Sequence, residues 1–335
     1  MEYKMTYELF AEMIIQNIRD YLPDSLKDAE IVHHKMDKIN CKKECICFIK
    51  KKKEGKNLSP NLYLDSFYKK YENGWDLQEV LEDIGHALKE SVQEMESFNE
   101  IIRLDNIREN VFCKFINTEQ NEELLKKMPH RNFHDLSIVY AWYVGEQDGA
   151  MLSAPINHEL AKSEGLSEEE LFQLAKENTR RLFPTYIRPM HAVIDELMGG
   201  KESKGAELFE FEPDEEFPMY VVSNSKRFFG ATAVLYEDGM QMLADRLDDN
   251  LYLIPSSIHE WIVVPESFTN LEHLSEIVHE VNFSEVDEEE RLSNEVYHYD
   301  KRTRQFTIAT DVQNKSLSDH VAEEKTVYQA EPPRR

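Results

Sequence analysis

Between Tyr252 and Pro265 the chain crowds two hydroxyls, an imidazole and a carboxylate into five residues, Ser256-Ser257-Ile258-His259-Glu260, flanked by two apolar runs. A serine activated by an imidazole that a carboxylate orients is the nucleophile of acyl transfer. Side chains two apart in a strand share a face. An extended 257–264 segment would therefore set Ser257 beside His259 and send Ile258 and Glu260 to the other side. The Gly-x-Ser-x-Gly elbow that exposes a nucleophile on a strand-to-helix turn is absent. The competing reading is a Ser-Ser turn after Pro255 whose hydroxyls bond backbone, with His259 on a sheet face. Ser256, Ser257, His259 and Glu260 form the candidate functional surface, and no catalytic residue is assigned.

Four other groups have metal or phosphate chemistry within reach. Cys41-x3-Cys45-x-Cys47, with His33, His34 or Cys113 as a fourth donor, has thiolates for zinc. Zinc sites usually present paired Cys-x2-4-Cys knuckles, and only one group exists here, so strand-core cysteines are the expected reading. His273 and His279 lie among Glu272, Glu276 and Glu280, but six residues separate them, whereas a helical metal pair needs four. His158-Glu159 is weaker still. The expectation is therefore no metal and no cofactor. Lys50 to Lys53, with Lys42, Lys43 and Lys56, reads as a charged hairpin tip that guards strand edges.

The 335 residues carry a net charge of −26, unevenly spread. Residues 1–75 hold 14 Lys/Arg against 12 Asp/Glu, and the remainder 25 against 53. Such a field repels nucleic acid and anionic membranes over most of the surface. No Walker loop and no Gly-x-Gly-x-x-Gly occurs, so nucleotide binding has no support. No run of 18 apolar residues occurs either, which argues against a membrane span. Four cysteines without an apolar leader read as reduced thiols in the cytoplasm.

The elements that must position these groups follow from periodicity. Helical spacing marks 6–21, 65–71, 76–95, 167–182, 186–198, 237–247 and 270–282, with Ser167 and Glu170 as a capping box. Thr118 reads as the cap of a helix reaching Met128. Alternation marks strands at 29–39, 44–51, 109–116, 133–144, 218–223, 230–235, 250–254 and 258–264, and a last hairpin at 297–299 and 306–308. Helices mixed with adjacent strands predict an α+β fold with mainly antiparallel sheets. The expected organisation is an N-terminal part over 1–104, a larger part over 105–310 holding the Pro-Ser-Ser-Ile-His-Glu segment, and a disordered polar tail over 311–335.

Several runs together resemble an uncharacterised bacterial family known only as a domain of unknown function. They are Ser59 through Gly74, Pro129 through Tyr140, Ser167 through Pro184, Pro218 through Pro265 and Val281 through Asp300. The most specific element is Gly230-Ala231 followed by Leu235-Tyr236 and Pro255 through Glu260. The likeness spans about residues 1–310, and residues 167–178 also look, more weakly, like a second uncharacterised bacterial family. The resemblance implies a bacterial cytoplasmic protein of one recurring architecture and lends no catalytic residues. The leading functional reading is non-catalytic binding of another macromolecule, in first place a protein. The alternatives are a small-molecule hydrolase using His259 with Ser257 or Ser256, and an acidic mimic of nucleic acid.

Overall fold

The computed structural model describes residues 4–49, 60–101, 106–147, 150–199 and 218–310. The chain divides into two compact units, Met1–Asn106 and Ile107–Arg335. Every strand pairing among the described residues is antiparallel, and the fold is α+β.

In the first unit, α1 (Tyr7–Asn17) starts where the Thr6 hydroxyl accepts the Leu9 N–H, and buries Phe10, Ala11 and Ile14. A hairpin follows, β1 (Glu30–Asp37) and β2 (Lys42–Ile49), whose turn holds Asn40 in the left-handed region that asparagine tolerates. The short β3 (Asn61–Tyr63) adds to β2 and completes the order β1-β2-β3. Two helices close the unit, α2 (Asp65–Glu72) and α3 (Leu77–Ile101). Gly74, at φ 105°, makes the break between them, a conformation any side chain would strain. Ile46, Phe48 and Leu62 from the sheet meet Phe10, Ile14, Ile18, Val80, Ile84 and Leu88 in one core. Truncating any one of these large residues costs about 2–5 kcal/mol.

The second unit opens with α4 (Ile107–Asn110) and β4 (Val111–Asn117). A short α5 (Glu122–Leu125) precedes β5 (His130–Phe133), β6 (Leu136–Gln147) and β7 (Ala150–Pro155). The long β6 carries β4 along one edge and β5 and β7 in succession along the other. Then come α6 (His158–Ser163) and α7 (Glu168–Leu182), which begins at the expected Ser167–Glu170 capping box. Leu171, Ala175 and Thr179 of α7 are buried, and the Thr179 hydroxyl accepts the backbone N–H of Cys113 on β4.

The remaining elements are β8 (Thr185–Pro189), α8 (Met190–Leu197), β9 (Tyr220–Asn224), α9 (Glu237–Leu247), β10 (Leu251–Ser257), β11 (Glu260–Pro265), α10 (Leu271–Ser284), β12 (Tyr297–Asp300) and β13 (Gln305–Ile308). Their strands form one sheet in the order β13-β12-β10-β11-β9-β8. One face carries Leu253, Val263, Tyr297 and the fully buried Trp261, whose indole N–H donates to Ala231 O at 2.6 Å. The other face lays Ile254 and Val264 against Leu274 and Val278 of α10.

Three sequence expectations are corrected. The helix expected over 186–198 begins only at Met190, because Thr185–Pro189 pairs along β9 as an edge strand; Thr-Tyr-Ile suits a pleated surface. The strand expected over 230–235 is a 3₁₀ helix, Gly230–Leu235. Both edges of β9 are already taken, by β11 and β8, so this run has no neighbour to pair with there. The Thr118 side chain caps no helix: its hydroxyl bonds the Ser137 hydroxyl at 2.9 Å, and the expected run to Met128 is reduced to one 3₁₀ turn, Glu119–Asn121, and the four-residue α5. The expected loop over 200–216, the tail beyond 311 and the lysines at 50–53 lie outside the described residues.

Candidate functional site

The Pro-Ser-Ser-Ile-His-Glu segment is a tight hairpin between β10 and β11, closed by the pair Ser257 and Glu260. Ser256 occupies a bulge between Pro255 and Ser257, and Ile258-His259 form the turn itself. The extended 257–264 geometry expected from alternation is thus broken at the turn. Ser257 and His259 still meet, but through backbone: the Ser257 hydroxyl accepts the His259 N–H at 3.0 Å, as serine commonly does in turns.

Surrounding residues lock this turn. Ser223 on β9 donates its hydroxyl to His259 O at 2.7 Å, and Ile258 N–H donates to Glu290 O at 2.9 Å. Gly230 fits under the turn because it lacks a side chain. A Cβ there would stand 2.2 Å from Ser223 Oγ and 2.5 Å from His259 O.

Both nitrogens of the His259 ring have neighbours. Nδ1 accepts the Phe229 N–H at 3.2 Å, so the proton of a neutral ring sits on Nε2, which faces the Glu290 carboxylate at 3.5 Å. Phe229 is held at φ 53°, a left-handed conformation rare for an aromatic residue. Its ring lies against the imidazole with centroids 5.7 Å apart. Among the described residues no serine hydroxyl is hydrogen-bonded to that imidazole.

Glu260 turns to a different environment. Burial raises its carboxyl pKa, an effect partly offset by His259 and Arg227. Arg227 and Arg188 both bind Glu196 on α8, the former at 2.8 Å. The structure therefore separates the four sequence candidates: Ser256 in a bulge, Ser257 as a turn cap, His259 against Phe229 and Glu290, and Glu260 toward Arg227.

Sequence reasoning missed Lys114. It stands on β4 within the apolar run Val111 to Ile116, a signal that was legible as a lone lysine among residues buried on both faces. Its ammonium lies 3.7 Å from the Phe229 ring centroid and 5.4 Å from that of Phe112, and donates to Ser153 Oγ at 3.2 Å. Burial pushes its pKa down to about 7.

A second feature lies along α10, which covers the helix expected at 270–282. Asn270 caps α10 by accepting the His273 N–H at 2.8 Å, and Leu274, Val278 and Asn282 face inward. The Asn282 amide donates to Ser293 O and Asn294 Oδ1, both at 2.8 Å, which draws the chain before β12 up to the helix. Glu295 and Thr310 then face the Glu272, Glu276, His279 and Phe283 stripe across a groove of about 780 Å³. Among the described residues Ser275 and Glu280 complete its lining, which there contains four carboxylates and neither lysine nor arginine. Phe283 is 83% exposed. His273 belongs to another face of the helix, as the six-residue separation from His279 requires.

Residues 7–301 match a family of unknown function, DUF5688, and the chain belongs to that family. No curated protein and no solved structure matches it. Among the described residues no helix is long and apolar enough to cross a membrane.

Proposed function

We propose that this protein acts by binding, without catalysis, a basic amphipathic polypeptide segment along α10. The observation that carries this reading is the groove itself, where Glu272, Glu276, Glu280 and Glu295 surround the exposed Phe283. An aromatic ring left in water beside carboxylates suits a segment with lysines or arginines flanking an apolar anchor. Burial of the anchor supplies affinity, and the charges supply orientation and rate. The net charge of −26 extends that field beyond the groove.

The hydrolytic alternative needs a serine hydroxyl donating to the imidazole of His259. Nδ1 instead accepts the Phe229 N–H, and Nε2 faces Glu290, so binding is the better-supported reading.

The test uses fluorescein-labelled helical peptides with lysines four apart around a leucine anchor, titrated by anisotropy. Binding should weaken by at least about tenfold, 1.4 kcal/mol, on Phe283→Ser and on the double change Glu276→Lys with Glu280→Lys. It should weaken again as salt shortens the screening length. Binding indifferent to both variants, or no binding by any basic peptide at low salt, would refute the proposal.

A further inference from the structure

The three-stranded sheet of the first unit sorts its polar and sulfur-bearing side chains by strand alternation. The register pairs His34 with Cys45 and Val32 with Cys47, and places Asn61 opposite Cys47. Residues two apart share a face. Cys45 and Cys47 therefore stand together with His34 and Asn61, while Ile46, Phe48 and Leu62 enter the core on the other side. The same sorting separates the two adjacent histidines. His33 Nε2 goes to the Glu44 carboxylate at 2.6 Å. His34 Nε2 lies 3.6 Å from Cys45 Sγ and 3.9 Å from Cys47 Sγ.

From this convergence we infer that His34, Cys45 and Cys47 form a metal site for a thiophilic cation, zinc(II). Their three donor atoms all lie within 4.8 Å of one another. Tetrahedral zinc with Zn–S of about 2.3 Å and Zn–N of about 2.05 Å holds its N···S edges at about 3.6 Å and its S···S edge at about 3.8 Å. Both observed N···S separations fall close to that edge. A hydrogen bond from the Cys45 thiol accounts for the shorter contact, whereas the Cys47 thiol donates to Asn61 Oδ1 and its sulfur still approaches the imidazole. The Cys-x-Cys spacing, which departs from the usual knuckle, chelates here because the strand returns to the same face every second residue.

The chemistry balances without a further ion. Each thiol loses a proton on binding, the imidazole lends a lone pair, and two thiolates neutralise the dication. Asn61, whose Oδ1 accepts from the Cys47 thiol, stands beside the fourth position. His34 is exposed and gives the metal a path from solvent. Cys41 lies in the hairpin turn and Cys113 in the second unit, and neither belongs to the group.

The full-length chain, reduced and stripped of metal, is titrated with Co²⁺ and then with Zn²⁺ against a chromophoric chelator. The site should take up Co²⁺ with thiolate charge-transfer absorption in the near ultraviolet and intense tetrahedral bands in the red, and release it to Zn²⁺. Cys45→Ser, Cys47→Ser and His34→Ala should each lower zinc affinity by more than the roughly 10–100-fold typical of losing an outer partner. Cys41→Ser and His33→Ala should leave it unchanged. His34 is exposed, so His34→Ala tests the site even where a serine variant unfolds. Absent thiolate–cobalt absorption, or absorption that survives His34→Ala unchanged, would overturn the inference. Uptake of copper(I) alone, with Co²⁺ and Zn²⁺ ignored, would overturn the zinc assignment.

Discussion

Lys114 makes the protein's stability depend on pH in a direction that can be worked out in advance. A lysine in an unfolded chain titrates near 10.4, whereas burial beside Phe112 and Phe229 pushes Lys114 down to about 7. Between these values the unfolded state binds the proton and the folded state does not, so stability rises with pH across that window. Below about pH 7 both states are protonated, and the folded state carries the whole penalty. A gap of about 3.5 pKa units corresponds to about 4–5 kcal/mol at most. Two effects reduce it. The ammonium faces the Phe229 ring at 3.7 Å, a contact worth about 0.5–2 kcal/mol, and the residue keeps some surface in water. Lys114→Met should therefore stabilise the protein by about 1–3 kcal/mol at pH 6, or about 2–12 °C in Tm for a unit of this size. The gain should shrink steadily toward pH 10. Thermal and urea unfolding of both proteins between pH 6 and 10 measures it. A variant less stable than the parent at pH 6, or a difference that does not narrow as pH rises, would show that the amine is not a buried, penalised charge.

Gly230→Ala should destabilise by about 2–4 kcal/mol, because the added Cβ meets Ser223 Oγ, His259 O and Asn224 N, two of them backbone atoms; urea denaturation reads this, and a loss below 0.5 kcal/mol, about the size of a neutral surface change, would mean that the turn relaxes freely. Ser167→Ala should cost about 1 kcal/mol through the lost cap of α7, with Ser167→Asp restoring most of it. Glu260 has its folded pKa raised by burial, so stability falls as pH rises from the unfolded value near 4.3 through the folded one. Glu260→Gln should therefore be relatively more stable at neutral pH than at pH 4, and a pH-independent difference between the two proteins would contradict the assigned burial.

Residues close in sequence were legible wherever the signal is local. The capping box at Ser167, the break between the helices at 65–71 and 76–95, the apolar stripe of α3 and the Cys45/Cys47 alternation each need only a few neighbouring side chains to declare themselves, and the α+β class follows from their mixture. The sequence also pointed to residues 256–260 as a crowded junction. Whether their groups act together depended on where the two-residue turn fell, and that is set by the pairing of β10 with β11 and by Gly230 packing beneath it.

Other features depend on contacts that local spacing does not carry. Thr185–Pro189 and Gly230–Leu235 exchanged their expected strand and helix roles because β9 has only two edges to offer. Lys114 owes its depressed pKa to burial, beneath a ring, Phe229, that lies 115 positions along the chain, and the α10 groove exists because Asn282 holds residues 293 and 294. His33 and His34 are chemically identical neighbours, and strand register alone sends one to Glu44 and the other to two cysteines. The sequence by itself determined the repertoire of helices, strands and reactive groups, since propensity and periodicity act over a few residues. The tertiary structure decided which of those groups meet, since register and burial are properties of segments brought together from far apart in the chain.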